Sequence, residues 1–106
     1  MSENIGVLEK RPKVRIRSRK NVINDKKYKV IFHNDEETYA DFVELCLMKI
    51  FDKNLYEAKL ITKYIDKNGN GVVGIYPMEE ARRRVEEADK MKKKYGMPLL
   101  ITVDEE

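Results

Sequence analysis

Apolar positions in this chain fall into six patterned segments. At Tyr28, Val30 and Phe32 they alternate with Lys29, Ile31 and His33, the spacing of a strand with both faces partly apolar. From Phe42 to Phe51 they recur as Phe42, Val43, Leu45, Cys46, Met48, Ile50 and Phe51. That stretch is apolar around much of its girth and predicts a central helix, with Thr38 as N-cap and Asp41 three residues on completing a capping box. Asn54 and Glu57 repeat the cap pattern before a second helix whose inner face is Leu55, Ala58, Ile61, Thr62 and Ile65. Gly69-Asn70-Gly71 stops that helix and opens a strand from Val72 to Tyr76. Pro77 suits the first turn of a third helix with Met78, Ala81, Val85, Ala88 and Met91 on one side. Lys92-Lys93-Lys94, Gly96 and Pro98 form its C-terminal stop, and a last strand follows, Leu99 to Val103. The order β-α-α-β-α-β predicts an α/β (α+β) two-layer sandwich, a three-stranded antiparallel sheet with three helices on one face.

The first 26 residues do not share this patterning. Val14 and Ile16 are isolated among charges, so 1–26 is expected to be a flexible basic tail and 27–106 a single core domain. Residues 1–27 carry nine Lys/Arg against three Asp/Glu, whereas the rest of the chain is mildly acidic, so the overall +3 hides a basic tail on an acidic body. At 106 residues the chain can bury a core without disulfides or metals. The single cysteine, Cys46, excludes an internal disulfide and reads as a small buried hydrophobe. No apolar run approaches the ~20 residues that span a bilayer, and no apolar segment of a secretory signal is visible. A cytoplasmic protein is expected; an organelle stroma stays open if the basic tail is the remnant of a transit peptide.

Candidate chemistry is sparse. Asp66-Lys-Asn68-Gly-Asn70-Gly71 matches the first half of a calcium loop, but its twelfth position is Pro77, which cannot supply the bidentate carboxylate. A glycine-rich turn is the better reading. His33, the sole histidine, has no neighbouring Cys or second His for zinc and no partner for a catalytic triad; it is placed at the exposed end of the first strand. No enzymatic activity and no cofactor are expected. Lys10 to Lys20 could meet phosphate backbones nonspecifically, but no interleaved aromatics accompany it, and nucleic-acid binding is not the favoured reading.

What stands out is the polar cluster Asn34, Asp35, Glu36 and Glu37 where the first strand gives way to a helix, a place to meet a ligand rather than to fill a core. Tyr28-Lys-Val-Ile, Asn34-Asp35 with Thr38, Phe42-Val43, Gly69-x-Gly71-x-x-Gly74-Ile-Tyr76 and Pro98-Leu99 together resemble, in order and separation, the Clp protease adaptor family ClpS. The likeness covers roughly 27–103. It implies a non-enzymatic adaptor that binds proteins with a large hydrophobic N-terminal residue (N-degrons) and passes them to the N-domain of a hexameric Clp ATPase for unfolding and proteolysis, with a monomer as the expected state. Carried onto this sequence, the resemblance places the α-amino group of the cargo among Asn34, Asp35, Glu36, Thr38 and Asp66. It places the side chain in a pocket of Ala40, Val43, Thr62, Ile65 and Leu99, and the ATPase contact at Glu79 and Arg84. Glu36 stands where the family commonly has Asp. Asp66 stands where it usually has His, which makes the site more anionic. Ala40 and Thr62 replace methionines, which implies a roomier pocket that rejects Ile and Val less strongly. Two other readings stay open: a protein-interaction module similar to the C-terminal domain of the ribosomal stalk protein, and nucleic-acid binding through residues 10–20.

Overall fold

The computed structural model describes residues 26–106, and expectations that fall on residues 1–25, the basic tail and its phosphate-binding reading among them, lie outside that span. The six elements are β1 (Tyr28–His33), α1 (Ala40–Ile50), α2 (Leu55–Asn68), β2 (Asn70–Tyr76), α3 (Met78–Tyr95) and β3 (Leu100–Glu105). β1 is the centre of an antiparallel sheet of order β2-β1-β3. Tyr28 pairs with Tyr76 on one side and Glu105 on the other, and His33 with Asn70 and Leu100. The β1–β2 register slips between Val30 and Ile31.

The alternation in β1 sorts its side chains. Val30 and Phe32 have no exposed surface and join Phe42, Cys46, Leu47, Phe51, Ala58, Ile65, Val73, Ala81, Ala88 and Leu99 in one core between sheet and helices. The other sheet face keeps Val72, Ile75 and Leu100 exposed. The rings of Phe32 and Phe51 meet edge-on at 5.5 Å between centroids.

Helix boundaries follow local chemistry at most ends. The Asn54 side chain accepts from the Glu57 backbone N–H at 2.8 Å, and Glu57 accepts from the Asn54 N–H at 2.9 Å, a full capping box. α2 ends on Gly69, whose φ of 92° lies in the left-handed region that a side chain resists.

Three expectations need correction. Thr38 is not the N-cap of α1: Tyr39 holds that position with no side-chain cap bond, and the Thr38 hydroxyl turns back to Asp35 instead. Leu55 and Met78, assigned to inner helix faces, are each about half exposed, and each is the first residue of its helix. β3 begins one residue later than expected, at Leu100, since Leu99 is buried beneath the helices rather than laddered.

Candidate functional site

The loop joining β1 to α1 is shaped by one carboxylate. Asp35 Oδ1 accepts from the backbone N–H groups of Glu37 (2.8 Å) and Thr38 (2.7 Å), and Oδ2 accepts from the Thr38 hydroxyl at 2.7 Å. Burial pushes the Asp35 carboxyl up, but the Thr38 hydroxyl and the two backbone donors together outweigh it, so the group stays below its ordinary value. Of the four or so lone-pair sites of a carboxylate, three are taken. Asp35 is thus mainly the fastener of the loop.

A second bond fixes where that loop sits. The Asn34 backbone N–H donates to the Gly69 carbonyl at 2.8 Å, which ties the end of β1 to the last turn of α2. The C-terminal end of α2 is the negative pole of its dipole, and Asp66 lies in that last turn. Among the described residues, the side chains of Asn34, Glu36 and Asp66 carry no hydrogen bond or ion pair, and all three residues are exposed. A negative helix end, two free carboxylates and a free amide oxygen therefore gather at one corner.

That corner opens into a cavity of about 780 Å³. The ten residues expected to form the site all line it: Asn34, Asp35, Glu36, Thr38 and Asp66, and with them Ala40, Val43, Thr62, Ile65 and Leu99. Val43, Ile65 and Leu99 are buried and make its apolar interior together with Phe32, whereas Ala40 is exposed and belongs to the rim. Gly71 keeps Ile65 close to the sheet: a Cβ there would stand 3.0 Å from Ile65 Cγ1.

Sequence reasoning missed part of the lining. Phe32, His33, Glu44, Tyr56, Lys59, Leu60 and Lys63 also face the cavity. Lys59 reaches from α2 to Glu44 on α1, Nζ to Oε1 3.3 Å, and braces one side. Tyr56, Lys59, Leu60 and Lys63 sit at spacings of three and four on α2, so the face of that helix turned from the core could have been read as a cavity wall. His33, expected at an exposed strand end, is half-buried and has Nε2 2.8 Å from Thr102 Oγ1.

The two residues expected to meet an ATPase differ in their surroundings. Glu79 keeps 80% of its side chain exposed and pairs with Arg82. Arg84 keeps only 12% exposed and is engaged inside the molecule by Ile50, Glu80 and Asp52. Among the described residues, no group of three or more His, Cys, Asp or Glu side chains is placed to hold a metal ion. Asp66 and Asn68 of the calcium-like motif lie within α2, where the Asn68 amide donates to the Tyr64 carbonyl.

A small α+β domain thus sets hydrogen-bond acceptors beside an apolar cavity, an arrangement that can meet a polar and a hydrophobic group of one ligand together. The family model of the ATP-dependent Clp protease adaptor protein ClpS matches residues 24–102, and the chain belongs to that family. It is 38% identical over 90 residues to an ATP-dependent Clp protease adapter protein ClpS of Clostridium acetobutylicum, covering 85% of this chain and 89% of the relative. It is 40% identical over 80 residues to that of Helicobacter hepaticus, covering 76% and 81%. Its fold is similar to a structure of Agrobacterium tumefaciens ClpS2 bound to L-phenylalaninamide, with a TM-score of 0.74, 28% identity, and coverage of 78% of this chain and all of that one.

Proposed function

We propose that this protein is a non-enzymatic adaptor that captures polypeptides by a free N-terminus bearing a large hydrophobic residue and delivers them to a Clp ATPase. One observation carries the reading: unpartnered acceptors at the negative end of α2 rim an apolar cavity. An α-amino group is an ammonium with three donors. Asn34, Glu36 and Asp66 offer acceptors to it, Asp35 adds its remaining lone pair, and Thr38 holds Asp35 in place. The adjoining side chain enters between Val43, Ile65 and Leu99, past Ala40 and Thr62. That a relative binds L-phenylalaninamide, which has both a free amine and an aromatic side chain, supports the same division of labour here.

A charged hydrogen bond contributes about 1.5–3 kcal/mol and burial of a Leu- or Phe-sized side chain about as much. Against the costs of association, affinity of roughly micromolar order is expected. Delivery is placed on α3, where Glu79, exposed beside its partner Arg82, would meet the N-domain of the ATPase. Arg84 acts from beneath by fixing α3 against the end of α1. We place the protein in the cytoplasm as a monomer; no helix of the described residues is long and apolar enough to cross a membrane.

Fluorescence anisotropy with a Leu-initiated peptide and its N-acetylated twin tests this reading. Acetylation removes the ammonium and leaves the side chain, so binding should fall at least tenfold. Equal binding of the two peptides, or binding of neither, overturns it. Asp66→Asn should weaken the free peptide and leave the acetylated one unchanged.

A further inference from the structure

Thr62 holds a hydroxyl with nowhere to go. Its Oγ1 is shielded from solvent and has no hydrogen-bond partner; among the described residues it is the one buried side-chain oxygen or nitrogen in that state. A threonine inside a helix has a ready outlet, the carbonyl four residues earlier, here that of Ala58. That bond is not made. Buried polar groups without partners are rare in folded proteins, since each carries a desolvation cost with nothing to offset it. The location gives this one a use: Thr62 lines the cavity whose interior is otherwise Phe32, Val43, Ile65 and Leu99.

We propose that Thr62 determines specificity by recognising a polar atom at the far end of the captured side chain, so that the cavity favours an N-terminal tyrosine over phenylalanine. The inference rests on the N-terminus-binding reading above. Thr62 and Asp66 lie one turn apart on α2, about 6 Å along the axis by helical rise. With the ammonium held at Asp66, a side chain running back along α2 brings a phenol to Thr62, whereas leucine ends well short. A phenol both donates and accepts, so it satisfies the hydroxyl whichever way the hydroxyl turns. Threonine also populates two χ1 wells in a helix, so Oγ1 can rotate out of its shielded position when a ligand enters. Tyrosine gains a hydrogen bond at this hydroxyl. Phenylalanine gains none. With valine at the position, the tyrosine phenol would itself be buried unpaired, which is penalised more than the loss of a bond in water.

The experiment compares Tyr- and Phe-initiated peptides of otherwise identical sequence, each free and N-acetylated, on the wild type, Thr62→Val and Thr62→Ser. Valine is isosteric with threonine, and serine keeps the hydroxyl. Expected for Thr62→Val is a fall of roughly tenfold in the preference for Tyr over Phe, arising from weaker Tyr binding with Phe unchanged, and retention of most of the preference in Thr62→Ser. An unchanged Tyr/Phe ratio in Thr62→Val, or equal weakening of both peptides, overturns the proposal and leaves the N-terminus reading standing. If acetylated peptides bind as well as free ones, that reading fails and the Thr62 proposal fails with it.

Discussion

The guanidinium carbon of Arg84 stands 4.5 Å from the centroid of the Tyr76 ring. Arg84 is on α3 and Tyr76 at the end of β2, so this stacking joins the helix to the sheet at the end of the strand remote from the cavity. The same side chain donates to the Ile50 carbonyl at the end of α1, to Glu80 Oε2 at 2.8 and 3.1 Å, and pairs with Asp52 at 3.1 Å. Asp52 has a φ of 60°, in the left-handed region that aspartate tolerates better than most residues with a Cβ.

Arg84→Ala should therefore lower unfolding stability by about 1–3 kcal/mol in urea titrations, the lower end reflecting solvent screening of its exposed partners. Arg84→Lys should recover little, because an ammonium cannot stack on Tyr76 and bond Ile50, Glu80 and Asp52 together. Full recovery by lysine would show that only the charge matters.

The Asp35 carboxylate is favoured in the folded protein by its three donors, which hold its pKa below the ordinary aspartate value. A depressed folded value adds stability that is fully present above the unfolded value and is lost as pH falls through the folded one. Urea midpoints should accordingly drop as pH is lowered below about 4, in the range of an ordinary aspartate. Asp35→Asn should flatten that part of the profile and lower the plateau above it. A profile unchanged by the substitution would place the acid sensitivity elsewhere.

Gly74 faces Val30 across the ladder, and a Cβ there would run into the hydroxyl end of the Tyr76 ring. Tyr76 cannot simply swing away, since it lies between Phe51, with centroids 6.3 Å apart, and Arg84. Gly74→Ala should destabilise by about 1–3 kcal/mol, the usual range for overpacking. Tyr76→Phe, which removes the first atom the new methyl meets, should return part of that loss in the double variant, a non-additivity readable by a double-mutant cycle.

Cys46 is wholly buried on α1, and burial pushes its thiol up to about 12. The thiolate is the reactive form, so alkylation at neutral pH should be slow in the native protein and rapid in denaturant. Rapid labelling of the native state would reveal opening of the core around α1.

Ala40 is exposed at the rim, and Thr62 lines the same cavity. The small rim residue should let β-branched N-termini enter, with Ile- and Val-initiated peptides binding within about tenfold of Leu. Ala40→Met should widen that gap. A peptide array with strict Leu, Phe, Tyr and Trp preference in the wild type would contradict this, and so would an unaltered gap in the variant.

The order and sidedness of the elements were written in the chain itself. Val30 and Phe32 recur at strand spacing, Ala81 and Ala88 recur at helical spacing, and Asn54 with Glu57 sits three apart, all signals contained within a turn or two of backbone. The polar cluster Asn34 to Glu37 could be placed the same way, because strand end, loop and helix start follow one another directly from Phe32 to Val43, whereas Thr62, Ile65, Asp66 and Leu99 join it from distant elements and are reached through the family resemblance. The use made of each polar group was not legible. Asp35 and Thr38 are both good cap formers, and only the folded loop decides that one fastens the other. Arg84 lies among Arg82, Arg83, Glu86 and Glu87 and reads locally like them, yet the carbonyl it seeks belongs to Ile50, 34 residues earlier. Periodicity is a property of neighbours in sequence and survives without a tertiary structure. Whether a lone pair is occupied or left open depends on groups that only the closed fold brings within 3 Å, so the free acceptors at Asn34, Glu36 and Asp66 and the stranded hydroxyl of Thr62 belong to the tertiary structure alone.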